Sequence, residues 1–232
     1  MIGRPRVHHR ETDSTNERAR QLAAAGAPHG TLVTADAQSA GRGRQGRSWV
    51  APPGSAILMS LVVRDFGEQH LLPLAVPVAV CEAAESVAAV ECRIKWPNDV
   101  WVDGRKLAGI LVEGRPQEGW AVVGIGLNAK TAEDEFPPEL REIATSLTAA
   151  TGETVERDEL LQALLNALDD RLASPAEEIL DAWRERDALR DEQVRWRDGE
   201  GTARGVSESG ALIVESNGRR VELDAGEVHL LR

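Results

Sequence analysis

The feature that most constrains the fold is a continuous apolar run at residues 55–64, which has the length of a single strand. Such a run, without strict alternation, is typical of a strand that is covered on both faces. We therefore predict a buried central strand at residues 55–64. With 232 residues, the chain can form one large domain and a small one.

Helix, loop and strand patterns surround this run. Ser14, followed by Glu17, fits the capping box of a helix that ends near residue 25, and the Gly/Arg-rich residues 39–54 predict a loop. A second helix is predicted over about residues 69–89, with a kink at Pro77. Short strands are predicted at residues 31–35, 93–94, 100–102, 107–112 and 120–126, and Asp103-Gly104 predicts a hairpin turn.

The pattern changes in the C-terminal part of the chain. Residues 139–190 predict helices with a leucine stripe packed on the sheet. The stripe consists of Leu160, Leu161, Leu164, Leu165 and Leu168. From about residue 192, short alternating strands with glycine turns predict a small appended barrel. These strands are expected at residues 202–206, 211–215, 219–223 and 228–231. We therefore expect an α+β chain that divides into residues 1–190 and residues 191–232.

The negative charge is confined to one region. The formal net charge is −11, and residues 131–198 alone hold 19 acidic and 8 basic side chains, so the rest of the chain is neutral. Residues 41–47 carry three arginines and no acidic side chain. Whole-chain acidity argues against broad nucleic-acid binding, but it does not argue against a small anionic ligand.

No segment predicts a membrane span or a secretory signal. The longest apolar stretch, residues 71–80, has ten residues and contains two prolines, and no apolar run follows the N-terminal arginines. Cys81 and Cys92 fit no disulfide framework or metal spacing, so we interpret them as buried thiols. We therefore expect a cytoplasmic protein.

The segment Gly41-Arg-Gly-Arg-Gln-Gly-Arg47 carries the clearest chemistry. Glycine allows backbone N–H groups to approach an anion, and arginine binds phosphate or carboxylate through two parallel hydrogen bonds. By itself, the segment fits a phosphate-binding loop, an RNA-binding Arg/Gly segment or a solvated linker. Trp49, directly after it, would either stack on a planar ligand or anchor the loop to the core.

Three further segments combine polar groups with strand ends. They are Lys95-Trp-Pro-Asn-Asp99, Lys106-Leu-Ala-Gly-Ile-Leu-Val-Glu113 and Gly124-Ile-Gly-Leu-Asn128. Each of them, taken alone, is more often a turn or a strand end than a site.

Taken together and in this order, the four segments resemble the signature set of the biotin protein ligases. Asp13-Ser-Thr-Asn16, Gln38 and the C-terminal residues 202–214 fit the same family, so the resemblance covers nearly the whole chain. It implies a mixed, mostly antiparallel sheet with flanking helices, like that of class II synthetases, and an SH3-like C-terminal barrel. Since only 13 residues precede Ser14, we expect the ligase-only type without a winged-helix DNA-binding domain.

The resemblance also implies a reaction in two steps. The carboxylate of biotin attacks the α-phosphate of MgATP to give biotinyl-5′-AMP and pyrophosphate. A lysine of a biotin carboxyl carrier protein, part of a biotin-dependent carboxylase, then takes up the biotin. No covalent enzyme intermediate is needed, and residues 39–54 would close over the adenylate as a lid. Neither DNA nor a membrane is expected as a partner, and the chain is expected to be a monomer or a homodimer.

The site residues follow from motif position in the family. Catalysis is assigned to Arg42, Arg44, Lys106 and Asp99. The biotin site is assigned to Ser14, Thr15, Asn16, Gln38, Arg42, Gly43, Arg44, Lys106, Ala108 and Gly109. The ATP site is assigned to Arg44, Arg47, Trp49, Lys95, Asn98, Asp99 and Asn128. Mg²⁺ is expected on the phosphates of ATP without a dedicated protein cage, with Asp99 as the candidate protein ligand.

Two alternatives compete with this hypothesis. A lipoate ligase shares the chemistry and a related fold, although the Gly-Arg-Gly-Arg and Lys-Trp-Pro-Asn-Asp segments favour biotin. An RNA-binding module could use the Arg/Gly loop and the barrel, but a chain without tyrosine and with two phenylalanines offers few stacking platforms for single strands.

Overall fold

The computed structural model describes residues 2–64 and 69–231, and these residues form two β-sheets with helices around the larger one. The larger sheet contains β1 (Arg6–Thr12), β2 (Leu32–Gln38), β3 (Ala56–Arg64), β4 (Arg93–Lys95), β5 (Asp99–Val102), β6 (Arg105–Arg115) and β7 (Trp120–Asn128). Their order is β1-β2-β3-β7-β6-β5-β4, in which β1 and β2 are parallel and all other neighbours are antiparallel. The sheet is thus mixed and mostly antiparallel, as predicted.

Strand β3 occupies the position that its apolar sequence predicts. Every residue from Ala56 to Val63 is buried, and the strand lies between β2 and β7. Its central place follows from its composition, because a strand without alternation must be covered on both faces.

Helices cover both faces of the sheet. They are α1 (Thr15–Ala24), α2 (Leu72–Val87), α3 (Leu147–Thr151), α4 (Arg157–Ala173) and α5 (Ala176–Glu185). Helix α1 packs on one face against β2, β3 and β7, and the apolar α2 packs on the other. Pro77 lies inside α2, and the kink expected there stays a prediction.

The prediction of helices over residues 139–190 is only partly correct. Three separate helices form, and Leu165 is not fully buried. The leucine stripe was predicted to pack on the sheet, but α4 packs mainly on α2 and has only a small contact with the sheet, at β3.

One strand and one cap in this part of the chain differ from the sequence prediction. Strand β1 was not predicted because it is an edge strand of polar, mostly exposed residues, which leaves no apolar alternation to read. Helix α1 does begin after Ser14, but in the described residues the Ser14 side chain makes no capping hydrogen bond. Glu17 instead pairs with Arg42 and Arg20, so the predicted capping box is not formed.

The C-terminal residues form a five-stranded antiparallel sheet in the described part of the chain. Its strands are β8 (Gln193–Trp196), β9 (Gly199–Val206), β10 (Leu212–Ser216), β11 (Arg219–Leu223) and β12 (His229–Leu230), of which β8 was not predicted as a separate strand. The Trp96 indole, which follows β4, donates to Gly210 O at 3.1 Å, in the turn between β9 and β10 of the C-terminal sheet. Ile94 N on β4 donates at 2.7 Å to Arg186 O, directly after α5. The division at residues 190 and 191 stays a prediction.

Within residues 2–64 and 69–231, no helix has both the length and the apolar character that a membrane crossing requires.

Candidate active site

The start of α1 and the end of β2 form a polar wall. Ser14, Thr15 and Asn16 are all buried, although serine, threonine and asparagine are usually exposed. Gln38 Oε1 accepts hydrogen bonds from Thr15 N at 2.7 Å and from Thr15 Oγ1 at 3.1 Å. The wall is therefore organised by hydrogen bonds between the helix start and the strand end.

Glycines on β6 and β7 form the floor of the same pocket. A Cβ atom on Gly126 would lie 2.3 Å from the Trp49 ring, and one on Gly109 would lie 3.0 Å from it. A Cβ on Gly124 would lie 1.9 Å from Asn16 Oδ1. The alternating glycines of the Gly-Ile-Gly motif therefore leave room for two side chains that lie directly against the sheet.

Trp49 lies on this floor, which agrees with the anchoring interpretation of that residue. Its ring is 5.7 Å from Lys106 Nζ, within the range of a cation–π contact. The buried indole Nε1 has no hydrogen-bond partner among the described residues. Stacking of Trp49 on a ligand stays a prediction.

The cations of the pocket each contact an oxygen-bearing side chain. Lys106 Nζ lies 2.7 Å from Asp99 Oδ1, Arg42 lies 3.2 Å from Glu17, and Arg44 donates to Asn98 Oδ1 at 3.3 Å. Arg47 pairs with Glu227, which lies in the connection between β11 and β12. Burial lowers the pKa of Arg44, although the nearby charge of Asp99 acts to raise it. Burial also lowers the pKa of Lys95. Positive charge is thus concentrated here at the cost of desolvation.

The structure brings most of the predicted site residues into one pocket. Its lining includes Ser14, Thr15, Asn16, Gln38, Arg42, Gly43, Arg44, Arg47, Trp49, Asn98, Lys106 and Gly109. Four predicted residues lie outside this lining. Asp99 forms an ion pair with Lys106, and Lys95 Nζ lies 4.9 Å from the centroid of the Trp101 ring. Ala108 is buried in the core, and Asn128 is buried and donates to Thr145 O at 2.9 Å. The roles assigned to all these residues stay predictions.

Sequence reasoning missed several residues of the pocket. Met59 and Ile125 line it from within apolar strands, where the sequence does not distinguish them from core residues. Glu17 was interpreted only as a helix cap, and Glu227 lies 180 positions after Arg47, so that no local pattern joins the two.

Comparisons with known proteins identify the class to which this fold and pocket belong. The sequence model of the biotin/lipoate A/B protein ligase family matches residues 9–129, which is more than half of the chain. The model of the biotin protein ligase C-terminal domain matches residues 191–231. The chain belongs to the biotin/lipoate A/B protein ligase family, which confirms the resemblance and the fold class predicted from the sequence.

Individual relatives give the extent of the similarity. The bifunctional ligase/repressor BirA of Bacillus spizizenii is 40% identical over 177 residues, which are 74% of this chain and 54% of that protein. This chain therefore spans about half the length of that relative. The biotin--[acetyl-CoA-carboxylase] ligase of Mycobacterium tuberculosis is 35% identical over 240 residues, 96% of this chain and 87% of that protein.

Among solved structures, the biotin protein ligase of Aquifex aeolicus in complex with biotin and ATP has a similar fold. It superposes with a TM-score of 0.86 at 29% identity, over 99% of each chain.

Proposed function

We propose that this chain is a biotin protein ligase, which activates biotin with MgATP to biotinyl-5′-AMP and transfers biotin to a lysine of a carrier protein. The observation that carries the proposal is that one pocket joins a wall of buried hydrogen-bonding side chains to a cluster of cations. The wall includes Ser14, Thr15 and Gln38, and the cluster includes Arg44 and Lys106. A ligand with a polar head and an anionic end matches this arrangement. Relatives named as biotin ligases support the choice of biotin.

The cation cluster addresses the main barrier to the first step. Biotin and ATP are both anionic, and two unit charges about 4 Å apart repel by roughly 4 kcal/mol at an effective dielectric constant near 20. Arg42, Arg44 and Lys106 would hold the carboxylate and the α-phosphate, and Arg47 would hold the other phosphates. Catalysis then rests on positioning and on neutralisation of charge.

Some of these cations exchange a carboxylate partner for a substrate anion when the substrates bind. Glu17 and Glu227 pair with Arg42 and Arg47 in the structure, and Asp99 pairs with Lys106. The substrate carboxylate and phosphates take the place of some of these side-chain carboxylates. The carboxylates therefore keep the cations oriented before the anionic substrates arrive.

Magnesium fits this site as an ion that arrives on the phosphates of ATP. No cluster of three or more His, Cys, Asp or Glu side chains that could hold a metal is found in the described residues, and Asp99 is the single carboxylate beside Lys106. A magnesium ion that keeps several waters and takes one protein carboxylate fits this donor set. Such an ion supplies further neutralisation of the phosphate charge.

In the second step, the amine of an acceptor lysine attacks the carbonyl carbon of the adenylate, and AMP leaves. We assign Asp99 to assist the incoming amine, since it lies next to Lys106, which would hold the reacting carboxylate. The acceptor is a biotin carboxyl carrier protein, in agreement with the relatives named as acetyl-CoA-carboxylase ligases. The cytoplasmic location, the ligase-only organisation, the domain division and a monomeric or homodimeric state stay predictions.

The test is the release of pyrophosphate from MgATP with biotin, with lipoate, or with neither. We expect release that depends on biotin and that exceeds release with lipoate at equal concentration. A preference for lipoate would overturn the choice of biotin and would leave family membership intact.

A further inference from the structure

Ser60 is a polar side chain in the middle of an apolar strand. It is fully buried in β3, where its neighbours Met59 and Leu61 belong to the core, and it does not line the pocket. A buried hydroxyl costs free energy unless it is hydrogen-bonded. The hydrogen-bond partners of Ser60 therefore indicate its role.

The hydroxyl of Ser60 lies behind the polar wall of the pocket. Ser60 Oγ is 2.6 Å from Asn16 Oδ1 and 2.8 Å from Thr15 Oγ1. An amide oxygen can only accept, and a hydroxyl has one hydrogen, so Ser60 donates to Asn16. The hydroxyl of Thr15 is then left to donate, to Ser60 or to Gln38 Oε1.

The amide of Asn16 is held from three strands. Ser60 on β3 donates to its oxygen, and Glu113 on β6 accepts from its nitrogen at 2.9 Å. Gly124 on β7, the register partner of Ser60, leaves the space in which this amide lies. A reversed amide would place Asn16 Oδ1 against the carboxylate of Glu113, where two acceptors would meet. The orientation of the amide is therefore fixed.

We propose that Ser60 is a positioning residue for the polar end of the pocket, acting through Asn16 and Thr15 without touching the ligand. The inference rests on the proposed function. With Asn16 Oδ1 and Gln38 Oε1 both occupied by protein donors, the groups left for a ligand are mainly N–H donors of the two amides. The matching group on biotin is the carbonyl oxygen of its ureido ring.

The experiment measures biotin affinity by calorimetry and the KM for each substrate, in the full chain and in Ser60→Ala. We expect the Kd for biotin to rise about tenfold, equivalent to about 1.4 kcal/mol. The KM for ATP stays within about twofold, and kcat at saturating biotin is kept. Ser60→Cys is slightly larger than serine and donates only weakly, so we expect it not to restore biotin affinity.

Thr31→Val is the matched control. Thr31 is equally buried, and its hydroxyl donates at 2.8 Å to Pro28 O, outside the pocket. We expect this variant to lose thermal stability without a change in the Kd for biotin.

Three results would overturn the inference while leaving the proposed function standing. The first is a Ser60→Ala variant that binds biotin within twofold of the wild type. The second is an equal loss of biotin and ATP affinity, which would indicate that the substitution disturbs the packing of the whole pocket. If Ser60→Ala does not fold, Ser60→Cys decides, and an unchanged Kd for biotin in that variant is the third. A wild-type chain that does not bind biotin contradicts the proposed function itself.

Discussion

Lys106 Nζ lies 2.7 Å from Asp99 Oδ1, so the ammonium group assigned to the substrates is already held by a carboxylate from the neighbouring strand. Asp99 is the first residue of β5 and Lys106 is the second residue of β6, on either side of the turn at Asp103 and Gly104. This hairpin connects two of the segments that sequence reasoning singled out separately. Charge in the pocket is therefore arranged before any substrate binds.

The first prediction concerns this lysine. Lys106→Ala removes the cation that would bridge the carboxylate and the α-phosphate, and we expect biotin-dependent pyrophosphate release to fall by about 10²–10³-fold. The melting temperature should change little, because the side chain is partly exposed. Lys130→Ala is the matched control, since Lys130 pairs with Glu156 outside the pocket. Near-normal pyrophosphate release by Lys106→Ala would contradict its assigned role.

The second prediction concerns the glycine floor. Gly126→Ala would place a methyl group 2.3 Å from the Trp49 ring, so the ring must move. We expect the KM for ATP to rise about tenfold or more and the intrinsic fluorescence of the chain to change. Gly114→Ala is the control, because the nearest atom to its added methyl would be 3.9 Å away. If Gly126→Ala and Gly114→Ala have the same KM for ATP and the same fluorescence, the contact with Trp49 has no role in function.

The third prediction concerns the loop at residues 39–54. Arg42 and Arg47 connect it to Glu17 and Glu227 through ion pairs that are partly exposed and therefore weak. We expect amide hydrogen exchange in the loop to be fast in the free chain and to slow when biotin and ATP bind. An exchange rate that does not respond to the ligands would exclude a lid.

The fourth prediction concerns the junction between the two sheets. Asp187 is buried there and accepts from Leu189 N at 2.8 Å, and burial raises its pKa to about 6. Because the folded pKa exceeds the unfolded value, the protonated form is the one that stabilises the fold. That contribution is complete below about pH 4 and is lost as the pH rises through about 6.

Asp187→Asn keeps an acceptor for Leu189 N and cannot ionise. From pH 4.5 to 7.5, we expect the free energy of unfolding of the wild type to fall relative to this variant by about 1–3 kcal/mol. Denaturant titrations at several pH values measure it. Parallel stability curves for the two chains would contradict the prediction.

How much of the fold follows from the sequence depends on burial. Strand β3 was predictable because nearly all its residues are apolar. The turn was predictable because an Asp-Gly pair favours the positive φ angles that Asp103 and Gly104 adopt. Strand β1 was not, because its place depends on pairing with β2 and not on its own pattern. The packing of α4 on α2 is a contact between distant segments, and residue spacing does not specify it.

The candidate site divides in the same way. Arg44, Lys106 and Gly126 lie in local segments that the sequence analysis identified, because glycines and cations in such short motifs are unusual. Ser60 was not marked, because one serine in an apolar strand is common and its partner Asn16 lies 44 positions away. Contacts that join distant segments become visible only when the sheet is assembled.

Transfer of biotin to a carrier lysine can be tested by the mass of an acceptor fragment. The full chain is incubated with biotin, MgATP and a biotin carboxyl carrier fragment, and the fragment is then weighed by mass spectrometry. A matched fragment with its acceptor lysine replaced by arginine is the control. We expect a gain of one biotinyl group on the native fragment alone. An unchanged mass, with an active reference ligase modifying the same fragment, would contradict it.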